Sequence, residues 1–207
     1  MMLVIGVTGG VGCGKTSVLR YLEENCNCRV IRTDETAKDL ERPGKVCYRR
    51  IRKLFPNPSA VLNDDGTLDN AALAARIFAD ETLRGKVNAI VHPEVEKYVR
   101  REIEKERRAD RLSYLFIEAA MLIEAGYLPI LDRLWYVYAP RAVRAERLKE
   151  SRGYSDEKIR QIMRRQLSDR AFRAHADAVI DNGGTHEETA RRIDRLLIRE
   201  TDSSCLT

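Results

Sequence analysis

The run Gly9-Gly10-Val11-Gly12-Cys13-Gly14-Lys15-Thr16 sets glycines, a lysine and a hydroxyl at the spacing G-x-x-x-x-G-K-[ST]. Glycines there let successive backbone N–H groups converge on phosphate oxygens, and a helix beginning near Lys15 adds the positive end of its dipole. Lys15 would reach the β- and γ-phosphates and Thr16 would ligate Mg²⁺, while Gly9, Gly12, Cys13, Gly14 and Ser17 would complete the nucleotide cradle. The loop follows the apolar run Leu3 to Val7 and precedes an amphipathic segment, the strand–loop–helix context the motif demands, whereas a glycine turn that merely packs closely needs no such context. The loop implies a bound nucleoside triphosphate but not its fate, because kinases, switches and motors share it.

A carboxylate near the acceptor would decide the chemistry. Asp34 follows the apolar run Arg29 to Ile31, and if that strand lies near the first, its carboxylate would project over the γ-phosphate and accept a proton from an attacking hydroxyl. Asp34 suits an N-cap for a helix starting at Glu35 equally well, as does Thr33, and the two roles can coexist. Glu118, after the run Leu115 to Ile117, is placed to hold a Mg²⁺-bound water or is simply a surface residue at a strand end. His92-Pro93 reads as a helix start with proline at its first position, which makes His92 a packing or capping histidine. Arg147 and Arg152 sit in an arginine-rich stretch and could close on transferring phosphoryl oxygens, although most of their basic neighbours must be surface residues.

These residues need a scaffold. Short β-branched or apolar runs alternate with longer amphipathic segments, the pattern of an α/β fold with a parallel sheet. Buried strands are expected at Leu3 to Val7, Arg29 to Ile31, Tyr114 to Ile117 and Leu134 to Tyr138, with a shorter fifth at Ala178 to Ile180. Their carboxyl ends would share one edge, where ligands bind in open α/β sheets. A single domain follows, with core segments of about 1–33, 113–140 and 174–207. The stretch 34–112 is too long for an ordinary crossover and reads as a mostly helical substrate-binding insertion, with a turn at Asn63-Asp64-Asp65-Gly66. The stretch 141–173 reads as a lid of two helices around Ser151-Arg152-Gly153-Tyr154, and the polar tail from Glu200 as a frayed end.

Composition narrows the partners. A net charge of +5 favours anionic ligands without separating a polyphosphate from nucleic acid. Basic and acidic residues are interspersed from Lys97 to Arg108, and aromatics make up only 6% of the chain, so no nucleic-acid surface is expected. Glu118 and Glu124 break the longest apolar candidate for a membrane span. With no basic leader before the first strand, a cytoplasmic protein is expected. Five cysteines, Cys13, Cys26, Cys28, Cys47 and Cys205, at irregular spacing support neither a disulfide framework nor a structural zinc site.

The ordered series Val7-Thr8-Gly9 through Thr16, Thr33-Asp34 with Ala37, Arg76-Ile77-Phe78, Asn88 to Pro93, Met121 to Glu124, Arg147-Leu148, Arg152 to Ser155, Arg165-Gln166 and Ala176 to Gly183 resembles the dephospho-coenzyme A kinase family over nearly the whole chain. That family uses the P-loop kinase fold to phosphorylate the ribose 3′-hydroxyl of dephospho-coenzyme A, the last step of coenzyme A synthesis. The resemblance implies ATP and Mg²⁺ as cofactors, a small-molecule acceptor and no obligate protein partner. It makes Asp34 the catalytic base, Lys15 and Thr16 the phosphate and metal contacts, Arg147 a lid arginine, and Asn182-Gly183 part of the adenine pocket. Thr8, Arg76, His92 and Leu122 would lie toward the acceptor. Arg32, Ala120 and Cys13 depart from residues common in the family, an aspartate, a proline and a serine, and Arg32 puts a positive charge two residues before the proposed base. On the residues alone, a kinase of nucleoside monophosphates, deoxynucleosides or sugar acids uses the same loop, base and lid logic. A nucleotide switch is disfavoured, since the only D-x-x-G is Asp181 to Gly184, with no N-K-x-D after it.

Overall fold

The computed structural model describes residues 2–119 and 121–204; Ala120, Cys205 and the end of the tail lie outside the described residues. The chain divides into two compact units, one formed by residues up to Ile31 and from Lys105 on, the other by Arg32–Glu104.

In the first unit, strand β1 (Leu3–Thr8) leads through the glycine loop into helix α1 (Lys15–Asn25), and β2 (Cys28–Arg32) ends at the boundary with the second unit. The second unit holds α2 (Thr33–Leu40), α3 (Val46–Arg52), α4 (Asn70–Ala79) and most of α5 (Glu81–Ala109). The first then resumes with β3 (Tyr114–Glu118), β4 (Arg133–Tyr138), α6 (Arg141–Arg152), α7 (Asp156–Arg164), α8 (Asp169–His175), β5 (Ala178–Asp181) and α9 (His186–Ser204). All five expected strands are present, each a residue or two longer than the apolar run that announced it.

The sheet runs β2-β3-β1-β4-β5, with β1 paired in parallel to both β3 and β4, and β4 in parallel to β5. β2 is therefore separated from β1 by β3. Strand residues alternate between faces. Ile5, Val7, Phe116, Trp135, Val137 and Ile180 meet Val18, Leu19 and Leu22 of α1 and Ile193 of α9 in one core. On the opposite face, Leu122, Leu131 and Leu134 close over Gly6, and Tyr136 stacks on Phe172 of α8 at 4.8 Å. Burial on both faces explains why the strands read as continuous apolar runs rather than alternating ones.

The Arg32–Glu104 unit is mostly helical, and the turn at Asn63 to Gly66 forms as expected: Gly66 N–H donates to Asn63 O and Asn63 N–H to Thr67 O. Pro93, expected to open a helix, lies inside the 29-residue α5. The helix start is set instead by Asp80, whose carboxylate accepts from Leu83 N–H at 3.0 Å. Val87, Val91, Val95, Val99 and Ile103 bury one stripe at four-residue spacing, and this packing offsets the loss of one backbone hydrogen bond at the proline. The stretch 141–173 forms three helices rather than two, because Ser168 caps a further start by accepting from Ala171 N–H.

Phe116 is wholly buried, 5.5 Å from the Trp135 ring and 5.8 Å from that of Tyr114. Phe116→Ala is expected to cost about 3–5 kcal/mol of stability, read as a lower urea midpoint at unchanged slope.

Candidate functional site

The glycine loop joins the carboxyl end of β1 to the first turn of α1. Gly14 precedes that turn with φ 87° and Gly12 carries φ 78°, left-handed values that strain any residue with a Cβ. No side chain caps α1 and its first turn holds no acidic residue. Ser17 and Val18 N–H both donate to Gly14 O, whereas the Lys15 and Thr16 amides precede any intrahelical partner. A concave, cationic helix start of this kind receives anions.

Turning amides inward leaves carbonyls facing out, and those of Gly9, Gly10, Val11 and Cys13 are held. Lys15 Nζ donates to Gly9 O at 2.8 Å, and Cys13 N–H donates to Gly10 O at 3.1 Å. Arg144 Nε donates to Val11 O at 2.8 Å. Asn182 Nδ2 donates to Cys13 O at 2.8 Å, and Arg147 Nη1 reaches the same oxygen at 3.4 Å while its Nη2 donates to Asn182 O at 2.9 Å. Asn182 is itself buried and fixed, because its Oδ1 accepts from Thr189 Oγ1 at 3.0 Å and its N–H donates to Tyr138 O at 2.7 Å. Its carboxamide is thus spent on the loop and α9.

Lys15 also lies 3.9 Å from Glu118 Oε1, with both side chains largely buried. This joins the loop lysine to the carboxylate at the end of β3. Thr8 is buried at the end of β1 and its hydroxyl donates to Ala119 O at 3.5 Å, while Leu122 is wholly buried against Gly6. Thr16 and Ser17 are exposed in the first turn of α1. Burial pushes the Cys13 thiol above its ordinary value, partly countered by Lys15 and Arg144, so it stays protonated at neutral pH and is a packing residue rather than a nucleophile. Arg152, exposed at the end of α6, sits over the Tyr154 ring at 5.9 Å.

Asp34, Arg76 and His92 belong to the Arg32–Glu104 unit. Asp34 is exposed and is the second residue of α2, so neither it nor Thr33 is the cap: Arg32 holds that position, with no side-chain capping hydrogen bond there among the described residues. A carboxylate in the first turn still faces the positive end of the helix dipole. Arg76 lies 5.9 Å over the Phe55 ring, and His92 is exposed within α5. Arg144 and Gln166 hold the loop directly, yet sequence reasoning gave Arg144 no role and Gln166 only a place in the family resemblance. One arginine among many, and a glutamine 155 residues from its partner, carry no local signal.

The strand order, the loop and its lysine define a P-loop kinase fold. A family model described as Dephospho-CoA kinase matches residues 3–188. A dephospho-CoA kinase of Moorella thermoacetica is 38% identical over 188 residues, 91% of this chain and 87% of that one. One of Corynebacterium diphtheriae is 35% identical over 190 residues, covering 92% and 93%. The crystal structure of TT1252 from Thermus thermophilus matches with a TM-score of 0.81 at 28% identity, over 96% of this chain and 97% of that one. The chain belongs to the dephospho-CoA kinase family.

Asn182→Asp keeps the shape of the latch but replaces its amide donor with an oxygen facing Cys13 O. It is expected to cost about 1–3 kcal/mol in chemical unfolding and to weaken ADP binding, whereas Asn182→Ser, with a hydroxyl donor, should lose less. Equal stability of Asn182→Asp and wild type would mean the latch is not engaged in solution.

Proposed function

We propose that this protein transfers the γ-phosphoryl group of ATP to the ribose 3′-hydroxyl of dephospho-coenzyme A, releasing coenzyme A and ADP. The observation that carries this reading is the family match, which runs from β1 through the loop and the Arg32–Glu104 unit into α9. The intact loop with Lys15 supplies the matching chemistry.

In this reading Gly9, Gly12, Cys13, Gly14, Lys15, Thr16 and Ser17 receive the triphosphate, and the Lys15 ammonium exchanges Gly9 O and Glu118 for β- and γ-oxygens. Thr16 and Glu118 offer a hydroxyl and a carboxylate, hard oxygen donors that fit Mg²⁺ bound mainly through phosphates and water. Mg²⁺, when present, supplies neutralisation of the charge on the transferring group. Arg147 would release its carbonyl partners to meet phosphoryl oxygens, with Arg152 behind it on α6; a guanidinium makes the two-pronged contact that an ammonium cannot. Asn182 fixes the loop beside the nucleotide base. The segment 141–173 acts as the lid, and the helical insertion as the acceptor-binding part. Asp34 accepts the proton of the attacking hydroxyl, while Arg76, His92, Thr8 and Leu122 shape the acceptor site.

With ATP and Mg²⁺, ADP release should be far faster with dephospho-coenzyme A than with AMP, CMP, deoxynucleosides or shikimate. Comparable kcat/KM for another acceptor would assign the chain to a different small-molecule kinase activity. Asp34→Asn should lower kcat by roughly 10² to 10⁴ with little change in stability, since Asp34 caps nothing. Near-full turnover by that variant would remove Asp34 as the base and make Glu118 the next candidate.

A further inference from the structure

Both backbone groups of Val11, at the crown of the loop, are taken by side chains distant in sequence. Val11 N–H donates to Gln166 Oε1 at 3.1 Å, and Val11 O accepts from Arg144 Nε at 2.8 Å. Arg144 Nη2 also donates to Gln166 Oε1 at 2.8 Å, closing a ring of three hydrogen bonds. Nε and Nη2 lie on one edge of a planar guanidinium, so the two acceptors are met by a single rigid fork. The guanidinium also lies against the loop, where a Cβ at Gly10 would overlap it, and the Arg144 main chain is close as well, since a Cβ at Gly12 would fall 2.8 Å from Arg144 O. Arg144 belongs to α6 and Gln166 to the link between α7 and α8, so two different segments grip the two peptide units that flank Val11.

A glycine-rich loop has many backbone conformations available, and ordering it on binding would cost affinity. We propose that Arg144 is a positioning residue for nucleotide binding, which together with Gln166 clamps Val11 and holds the loop in its phosphate-receiving shape before nucleotide arrives. Its part differs from that of Arg147, which holds Cys13 O and Asn182 O at the other end of the loop. The inference rests on the nucleotide half of the proposed function and is independent of the acceptor.

The test measures ADP affinity by calorimetry and backbone amide exchange of residues 9–16 in the nucleotide-free protein, for the wild type and for Arg144→Ala, Arg144→Lys, Gln166→Ala and the double alanine variant. Arg144→Ala should bind ADP about tenfold more weakly, as expected for loss of about two net hydrogen bonds, and its loop amides should exchange faster. Arg144→Lys should recover only part of the affinity, and the double variant should be no weaker than Arg144→Ala alone, because the ring acts as a unit. Thermal midpoints within a few degrees of wild type would separate this from general unfolding. ADP affinity within twofold of wild type in Arg144→Ala would overturn the proposal. So would weak binding with unchanged loop exchange, which would make Arg144 a direct phosphate contact instead. Additive losses in the double variant would also overturn it. The exchange measurement uses no nucleotide and no acceptor, so it reports on the clamp even if the acceptor assignment fails.

Discussion

A loop that turns its amides toward an anion must turn its carbonyls away, and those carbonyls need donors of their own. This constraint organises the first unit. Lys15 takes Gly9 O, Arg144 takes Val11 O, and Asn182 with Arg147 takes Cys13 O. The donors come from α1, from α6 and from the residue after β5, so the loop's shape is a property of the whole unit rather than of eight consecutive residues. The family motif specifies the receiving surface, and the outer ring of side chains keeps it concave.

The sheet order follows the same logic. With β1 central between β3 and β4, the loop emerges where Glu118 at the end of β3 and the residues after β4 and β5 can all reach it. β1 is sheathed on both faces by apolar side chains, and its register with β3 pairs Val7 with Glu118. That pairing sets the carboxylate 3.9 Å from Lys15. The β-sheet positions the charge pair, and the burial of both side chains keeps it from being screened by solvent.

Much of this was legible in the sequence. The loop, all five strands, the helical character of the insertion and the family resemblance came from motif, apolar runs and turn residues. Element starts were less legible where one signal outweighed another. Pro93 suggested a helix start, but Asp80 caps α5 thirteen residues earlier and the valine stripe carries the helix through the proline. Ser168 hid a third helix in the arginine-rich stretch because its capping role shows only once the backbone around it is seen. The contacts of Arg144, Gln166 and Asn182 with the loop were illegible in principle, since each joins residues more than a hundred positions apart and no local spacing encodes such a contact. The family resemblance put Asn182-Gly183 at the nucleotide base, and the Asn182 amide adds a hydrogen bond to the loop backbone that the sequence did not announce.

Phosphoryl transfer to one particular hydroxyl is read directly from the position of the new phosphate on the product. After incubation of the purified protein with ATP, Mg²⁺ and dephospho-coenzyme A, phosphorus NMR of the isolated product should show a monoester signal coupled to the ribose H3′ proton, with one ADP formed per product. A phosphate at the 2′ position, on the pantetheine arm or on no acceptor at all, with ATP merely bound or hydrolysed, would contradict the account.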